Sequence, residues 1–298
     1  MQRCDYCGRE NQAEAPFCAG CGTPFPRPLE MVSRLELEQA PPPVGQPPLN
    51  AAKATIILLI YAAAQFIASV AVGAVGALFA VANGKHLENQ KELLAFTKLI
   101  TPIAIPFSVL GGGAGTIVAS MLLVRHHLQD SSPSGAAWRV GSIKAVSQGL
   151  WLGFAAGVTY AAFGIATSAI GSPHRKLGPL ATMAMTPGLP RILWVISLLL
   201  LAPPIEELLF RGILYGGYRK SLGHVKAAIF STAIFSFLHI GEWIHFVPGL
   251  VGVTGMGILA LWLRLRSGAI GPAIAAHFGY NAILAILLSL FMIFSNSR

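Results

Sequence analysis

The sequence predicts an all-α polytopic membrane protein of about seven transmembrane helices, preceded by a small cysteine-bearing module and a proline-rich linker. Three observations carry that prediction. Of 298 residues, 54% are hydrophobic and only 11% are charged, whereas an average soluble domain is about 25% charged. The mean hydropathy is +0.64. From Ala51 onward, long apolar runs alternate with short polar joins. A water-soluble globule of this length could not hide so much apolar surface, which excludes a soluble enzyme as the main reading. The net charge of +9 would suit nucleic acid. No basic face with interleaved aromatics accompanies it, however, and in so apolar a chain basic residues gather in cytoplasmic loops beside anionic lipid. No nucleic-acid partner is expected.

All four cysteines fall in the first 21 residues, as Cys4-x2-Cys7 and Cys18-x2-Cys21, each pair followed by a glycine (Gly8, Gly22). Two such turns offer four thiolates at tetrahedral-zinc spacing, and glycine lets backbone amides fold back toward sulfur. Two disulfides in an exported module are the alternative. Residues 1–30 contain no apolar signal core to support export. So short a segment has almost no core of its own, and metal binding would supply its folding energy. The pair resembles the small zinc ribbons at the ends of many bacterial membrane proteins. Residues 1–26 are therefore expected to hold a structural zinc and to offer a docking module for a protein partner.

Residues 27–50 follow as a proline-rich linker, with Pro28, Pro41, Pro42, Pro43, Pro47 and Pro48. Such a stretch packs neither as helix nor as sheet and reads as a semi-rigid tether. A spanning helix needs about 20 apolar residues, because lipid offers backbone groups no water to bond. Seven segments qualify: 54–82, 99–124, 143–170, 191–213, 225–241, 246–263 and 270–294. Gly111, Gly112, Gly113, Gly115, Gly252, Gly255 and Gly257 would let helices approach closely. With the cysteine module inside, the inner joins hold Arg125, Arg139, Lys144, Arg219, Lys220, Lys226, Arg264 and Arg266. The outer joins hold Lys85, Lys91, Lys98, Arg175, Lys176 and Arg191. That bias favours a cytoplasmic N-terminus.

The chemistry concentrates late. From Arg191 onward the only carboxylates are Glu206, Glu207 and Glu242. The first two sit inside a spanning segment, after Pro203-Pro204, where an ionisable group costs about 3 kcal/mol or more. Four residues apart, Glu207 and Arg211 share a helix face and can pair. Glu206 lies about 140° away on the same wheel and is left to point elsewhere. The proline pair is expected to break the helix and restart it beside Glu206. A buried ion-pair staple with a spare carboxylate remains the alternative reading. His239, in Phe235-Ser236-Phe237-Leu238-His239, reads equally as a core residue or a catalyst. His277 and Asn281 stack on one face four residues apart. They could hold an oxyanion, or they could clasp a neighbouring helix.

Taken together, Glu-Glu-x3-Arg, Phe-x3-His and His-x3-Asn, each on its own late helix, resemble the CPBP family. These are intramembrane proteases related to the CAAX prenyl endopeptidase and to bacteriocin-processing and immunity proteins. The resemblance covers roughly residues 188–292. It implies that Glu206 activates a water held jointly with His239, and that His277 and Asn281 stabilise the oxyanion. Glu207 and Arg211 match supporting positions, and Phe235 matches a packing position. The resemblance leaves a catalytic metal open: one glutamate and two histidines could ligate zinc, and a metal-free glutamate mechanism fits the motifs equally.

The implied organisation is 1–26 zinc ribbon, 27–50 linker, 51–187 N-terminal transmembrane helices and 188–294 catalytic transmembrane core. The expected activity is endopeptidase cleavage, in a bacterial cell membrane, of a membrane protein or lipid-modified peptide. A non-catalytic scaffold or immunity-type protein that retains the motifs is the rival. A transporter is disfavoured, because no repeat symmetry is visible.

Overall fold

The computed structural model of the protein describes residues 2–3, 9–12, 19–20, 49–85, 87–170, 188–244 and 247–296. The chain divides into two compact units, Met1–Pro48 and Leu49–Arg298. In the first, strand β1 (Gln2–Arg3) pairs antiparallel with β2 (Glu10–Asn11), with Gln2 opposite Asn11 and Arg3 opposite Glu10. The Asn11 side chain accepts a hydrogen bond from the Ala19 amide at 2.8 Å. Cys4, Cys7, Cys18 and Cys21 lie outside the described residues, as does the linker as far as Pro48. Leu49 and Asn50, expected as the end of that linker, belong to the second unit. Leu49 is buried there, and the Asn50 side chain caps the first helix by accepting from Lys53 N.

The second unit is a helical bundle: α1 (Ala51–Ala82), α2 (Gln90–Val124), α3 (Ile143–Ile170), α4 (Leu189–Leu238), α5 (Ile240–Trp243), α6 (Pro248–Ser267) and α7 (Gly271–Asn296). Among the described residues, six of these are long and apolar enough to cross a membrane, the four-residue α5 being the exception. The protein is a multi-pass membrane protein. Phe66, Leu78, Phe79 and Leu122 are 70–77% exposed on the outer faces of α1 and α2, as lipid contact requires.

A break in α4 separates two expected segments, and the start of α2 differs from expectation. The 50 residues of α4 would measure about 75 Å if straight, against an apolar core about 30 Å thick. The helix instead breaks at Gly223, whose φ of 78° and ψ of 174° suit only a residue without a Cβ. Expected segments 191–213 and 225–241 thus lie on either side of this break, in agreement with the sequence. The difference is the start of α2, at Gln90 rather than 99. Asn89 caps it by accepting from Glu92 N at 2.9 Å, so the polar turns before Leu99 are already helical.

The helices alternate in direction, which brings the end of α2, the turn at Gly223, the end of α6 and the start of α7 to one end. The connection 125–142 does not lie flat there; it tucks inward. Ala136 and Ala137 are fully buried, and the Ala137 carbonyl accepts from Ile270 N at 2.9 Å. Irregular backbone at membrane depth is tolerated only when protein covers it. Arg264, expected in a polar join, lies within α6 with 1% exposure. Its Nη2 donates to the carbonyls of Ser132 (2.8 Å) and Gly135 (2.7 Å), so the cation satisfies inserted backbone.

The closest helix contact is one the sequence reading passed over. Gly149, Gly153 and Gly157 step along α3 four residues at a time, against Pro272, Ala276 and Tyr280 of α7. A methyl at Gly149 or Gly153 would strike the carbonyl of Pro272 or Ala276, and at Gly157 it would come within 3.0 Å of the Tyr280 carbonyl. This is the small-residue stripe by which membrane helices approach backbone to backbone. Of the glycines expected at close contacts, Gly255 has nothing within 4 Å. Gly153→Ala is therefore expected to destabilise the bundle by about 1–3 kcal/mol, measured as a lower thermal midpoint in detergent. Gly255→Ala serves as the control and should leave the midpoint unchanged or slightly raised. Equal losses at the two positions would contradict the close crossing.

Candidate active site

The first limb of α4 is helical throughout, but its hydrogen-bond ladder is irregular, and the irregularity begins with sequence. Pro203 and Pro204 have no amide hydrogen to donate to the turn before them. That turn, Ser197–Leu201, widens into π geometry, with Ala202 N donating to Ser197 O five residues back. The next donor along that register would be Pro203, so the Leu198 carbonyl has no helical partner. Asn281 Nδ2 of α7 donates to it at 2.9 Å. The expected break at the proline pair is thus a correction: the axis continues, and only the ladder is interrupted. A second π turn, Leu208–Leu214, follows Glu207. Such turns recur at functional sites.

Glu207 is completely buried and makes two contacts through one oxygen. Arg211 Nη1 donates to its Oε1 at 3.1 Å, and His277 Nδ1 lies 2.8 Å from the same atom. The Arg211 guanidinium, 2% exposed, also stacks over the Phe235 ring, with Cζ 4.0 Å from the ring centre. Phe235 is the hub of the site. Its ring lies 4.6 Å from that of His239, 5.2 Å edge-on from that of Phe210 and 6.1 Å edge-on from that of His277. Its carbonyl accepts from His239 Nδ1 at 2.8 Å.

Glu206 points away from this pair. Its Oε2 lies 3.9 Å from His239 Nε2 and 3.9 Å from His277 Nε2. The Oε2 atom is buried and makes no hydrogen bond among the described residues. The side chains of Glu206 and His239 are 13% and 24% exposed, the most open of the group. A carbonyl can only accept, so His239 Nδ1 is the donor to Phe235, and in the neutral ring its Nε2 is an acceptor facing Glu206. Separations near 4 Å between two acceptors suit groups that share the hydrogens of a bridging molecule.

The motif residues therefore converge: Glu206, Glu207 and Arg211 from the first limb of α4, Phe235 from its second limb, His239 from the cap of that limb, and His277 from α7. Asn281 sits beside them, with one amide hydrogen engaged by Leu198 and a second available. All of them fall within residues 187–283, which match the family model of the Rce1-like type II CAAX prenyl endopeptidases. Over this segment the chain is similar to that family. The segment occupies about a third of the chain, and it is the part where the motif resemblance was read. No curated protein and no solved structure matches the chain.

Among the described residues, no group of three or more His, Cys, Asp or Glu side chains is arranged to hold a metal ion. The role of Phe235 exceeds the packing position expected of it. Its carbonyl, which no side-chain motif can reveal, fixes which nitrogen of His239 is free.

The Glu207–Arg211 pair sets a testable cost. Arg211→Met leaves a buried carboxylate facing only His277 and is expected to destabilise the protein by about 3–5 kcal/mol. The double variant Glu207→Gln/Arg211→Met should recover much of that loss in thermal unfolding. A single variant as stable as the wild type would show that the pair carries no such load.

Proposed function

We propose that the protein is an intramembrane endopeptidase in which Glu206 and His239 activate a water and His277 and Asn281 stabilise the oxyanion. The observation that carries this reading is the position of Glu206 Oε2, equidistant at 3.9 Å from the free nitrogens of two histidines held by separate supports. A water placed there donates one hydrogen to the Glu206 carboxylate and the other to His239 Nε2. Its lone pair is then directed at the substrate. Glu206 takes the proton as the water oxygen bonds to the scissile carbonyl carbon, and the carbonyl oxygen becomes an oxyanion. The second amide hydrogen of Asn281 and the Nε2 position of His277 serve that oxyanion. Collapse breaks the C–N bond, and the proton on Glu206 passes to the leaving amine.

The family match supports a peptide of the prenylated CAAX class as substrate, within the wider expectation of a membrane protein or lipid-modified peptide. The first test compares new protein N-termini in membranes of cells expressing wild type, Glu206→Gln or His239→Ala at matched abundance. Products are expected with wild type and should fall by about 10²–10⁴ in either variant, the usual range for loss of a general base. Undiminished cleavage by Glu206→Gln would overturn the mechanism. The Asn281–Leu198 hydrogen bond favours a second reading, in which these polar groups clasp the helices of a non-catalytic scaffold. Matching N-terminal profiles in all three strains, with a wild-type phenotype intact, would select it.

We further propose that Cys4, Cys7, Cys18 and Cys21 hold a structural zinc in a cytoplasmic ribbon that docks a protein partner. Two features support this. Cys4 and Cys7 fall between the paired strands β1 and β2, and the Asn11–Ala19 hydrogen bond ties β2 to the residue after Cys18. Protease treatment of inside-out vesicles should release an N-terminal fragment carrying about one zinc, which Cys7→Ser abolishes. A metal-free fragment would overturn the zinc site, and release from intact cells would overturn the orientation.

A further inference from the structure

The inserted connection 125–142 touches both of the helices that meet at Glu207 and His277. It folds back on itself, with Ala136 N donating to His127 O at 2.9 Å and Trp138 N to Leu128 O at 2.6 Å. One side of its tip presses on the first limb of α4. A methyl on Gly212 would stand 2.8 Å from the Ala136 carbonyl oxygen, and one on Gly216 would stand 2.8 Å from that of Gly135. The other side holds the start of α7. There the carbonyls of Ala137 and Arg139 accept from Ile270 N at 2.9 Å and Gly271 N at 3.0 Å. Ala137 takes a φ of 50°, alone among the described residues other than glycine. A left-handed alanine persists only where its surroundings impose it.

The limb and α7 run in opposite directions, so counting back along one and forward along the other leads to the same level. Glu207 lies five residues before Gly212, and His277 lies six after Gly271. Both stand about 7–9 Å along their helices from the loop. The spacing that the loop sets is carried to the level where Glu207 Oε1 meets His277 Nδ1 at 2.8 Å. Arg264 of α6 holds the tip in place. Its Nη2 donates to Ser132 O and Gly135 O, and the latter is the same oxygen that lies over Gly216. Without the guanidinium, the buried Gly135 carbonyl would lose this donor.

We propose that Arg264 is a positioning residue for the active site: by pinning the inserted loop it fixes the separation of α4 and α7, and so the contact between Glu207 and His277. The catalytic part of this inference rests on the reading of His277 as an oxyanion group. Arg264 belongs to none of the three motifs and acts at one remove, through backbone that both helices touch. Hydrogen bonds fix distance and direction together, so a brace built of them passes on a displacement that looser packing would absorb. With the cation gone the tip is free to withdraw, and the start of α7 follows it through Ile270 and Gly271.

The test is a double-mutant cycle on the full-length protein in detergent, using Arg264→Gln, His277→Ala and the double variant. Arg264→Gln should lower the thermal midpoint clearly in the wild type and much less in the His277→Ala background, where the contact it protects is already gone. The cycle of Arg264→Gln with Ser289→Ala, farther along α7, should be additive. On the wild-type cleavage products, Arg264→Gln should lower kcat about 10–100-fold with KM unchanged. Arg264→Lys should recover part of that loss, because an ammonium still donates to a carbonyl. Should Arg264→Gln fail to fold, Arg264→Lys takes its place in both measurements. Additive midpoints in the His277 cycle would overturn the coupling, and an unchanged kcat would overturn the positioning role. If Glu206→Gln proves fully active, the protease reading fails by itself, and the midpoint cycle still decides whether Arg264 sets the contact between α4 and α7.

Discussion

The site depends on one buried carboxylate. Glu207 has no access to water, and its Oε1 holds a guanidinium from its own helix and an imidazole from another. Burying such a charge costs several kcal/mol unless it is fully compensated. Here the compensation runs through one oxygen, Oε2 having no hydrogen-bond partner among the described residues, and it also sets the geometry. Pairing with Arg211 neutralises the charge, stacking on Phe235 shields the guanidinium, and the contact to His277 spans α4 and α7. Because His277 is bound through Nδ1, its Nε2 is turned toward Glu206. Removing the carboxylate would loosen the joint between the helices and let the histidine ring rotate away.

The same economy explains why two adjacent glutamates serve different ends. Successive residues on a helix point about 100° apart, so Glu207 can be sequestered while Glu206 faces a partly open space. The proline pair acts one turn earlier by withdrawing amide donors. The carbonyl this leaves at Leu198 is then taken by Asn281, so a defect in one ladder becomes a tether for another helix.

The membrane class was legible from composition alone, and the Glu207–Arg211 pairing from four-residue spacing. Spacing also brought His277 and Asn281 to one face, but their partners could not be read. Asn281 engages a backbone carbonyl and His239 engages the Phe235 carbonyl, and every residue carries such a group. The separation of 191–213 from 225–241 was legible in the polar stretch between them, and Gly223 with its positive φ is where the helix breaks. Arg264 was assigned to a polar join because a cation is expected in water; its partners are carbonyls of an inserted loop 129–132 residues away in sequence. The stripe Gly149, Gly153, Gly157 was within reach, since its four-residue period is visible, whereas the eye is drawn to the denser cluster at Gly111–Gly115.

The division between the early and late helices is less sharp than the extent of the family match suggests. Residues 187–283 contain every polar motif, yet α3 holds α7 at backbone contact through glycines that lie outside that range. Ala276, the residue against Gly153, immediately precedes His277, so a shift of α3 would be felt at the histidine before anywhere else. In the same way, Gly112 and Gly113 of α2 admit the Tyr61 ring and the side chain of Ile205, the residue before Glu206. The two walls work by one rule: a missing Cβ admits a neighbour's backbone or ring to within a distance at which small displacements matter. The late helices supply reactive groups, and the early helices set their separation. A site whose chemistry turns on gaps of 3.9 Å requires both.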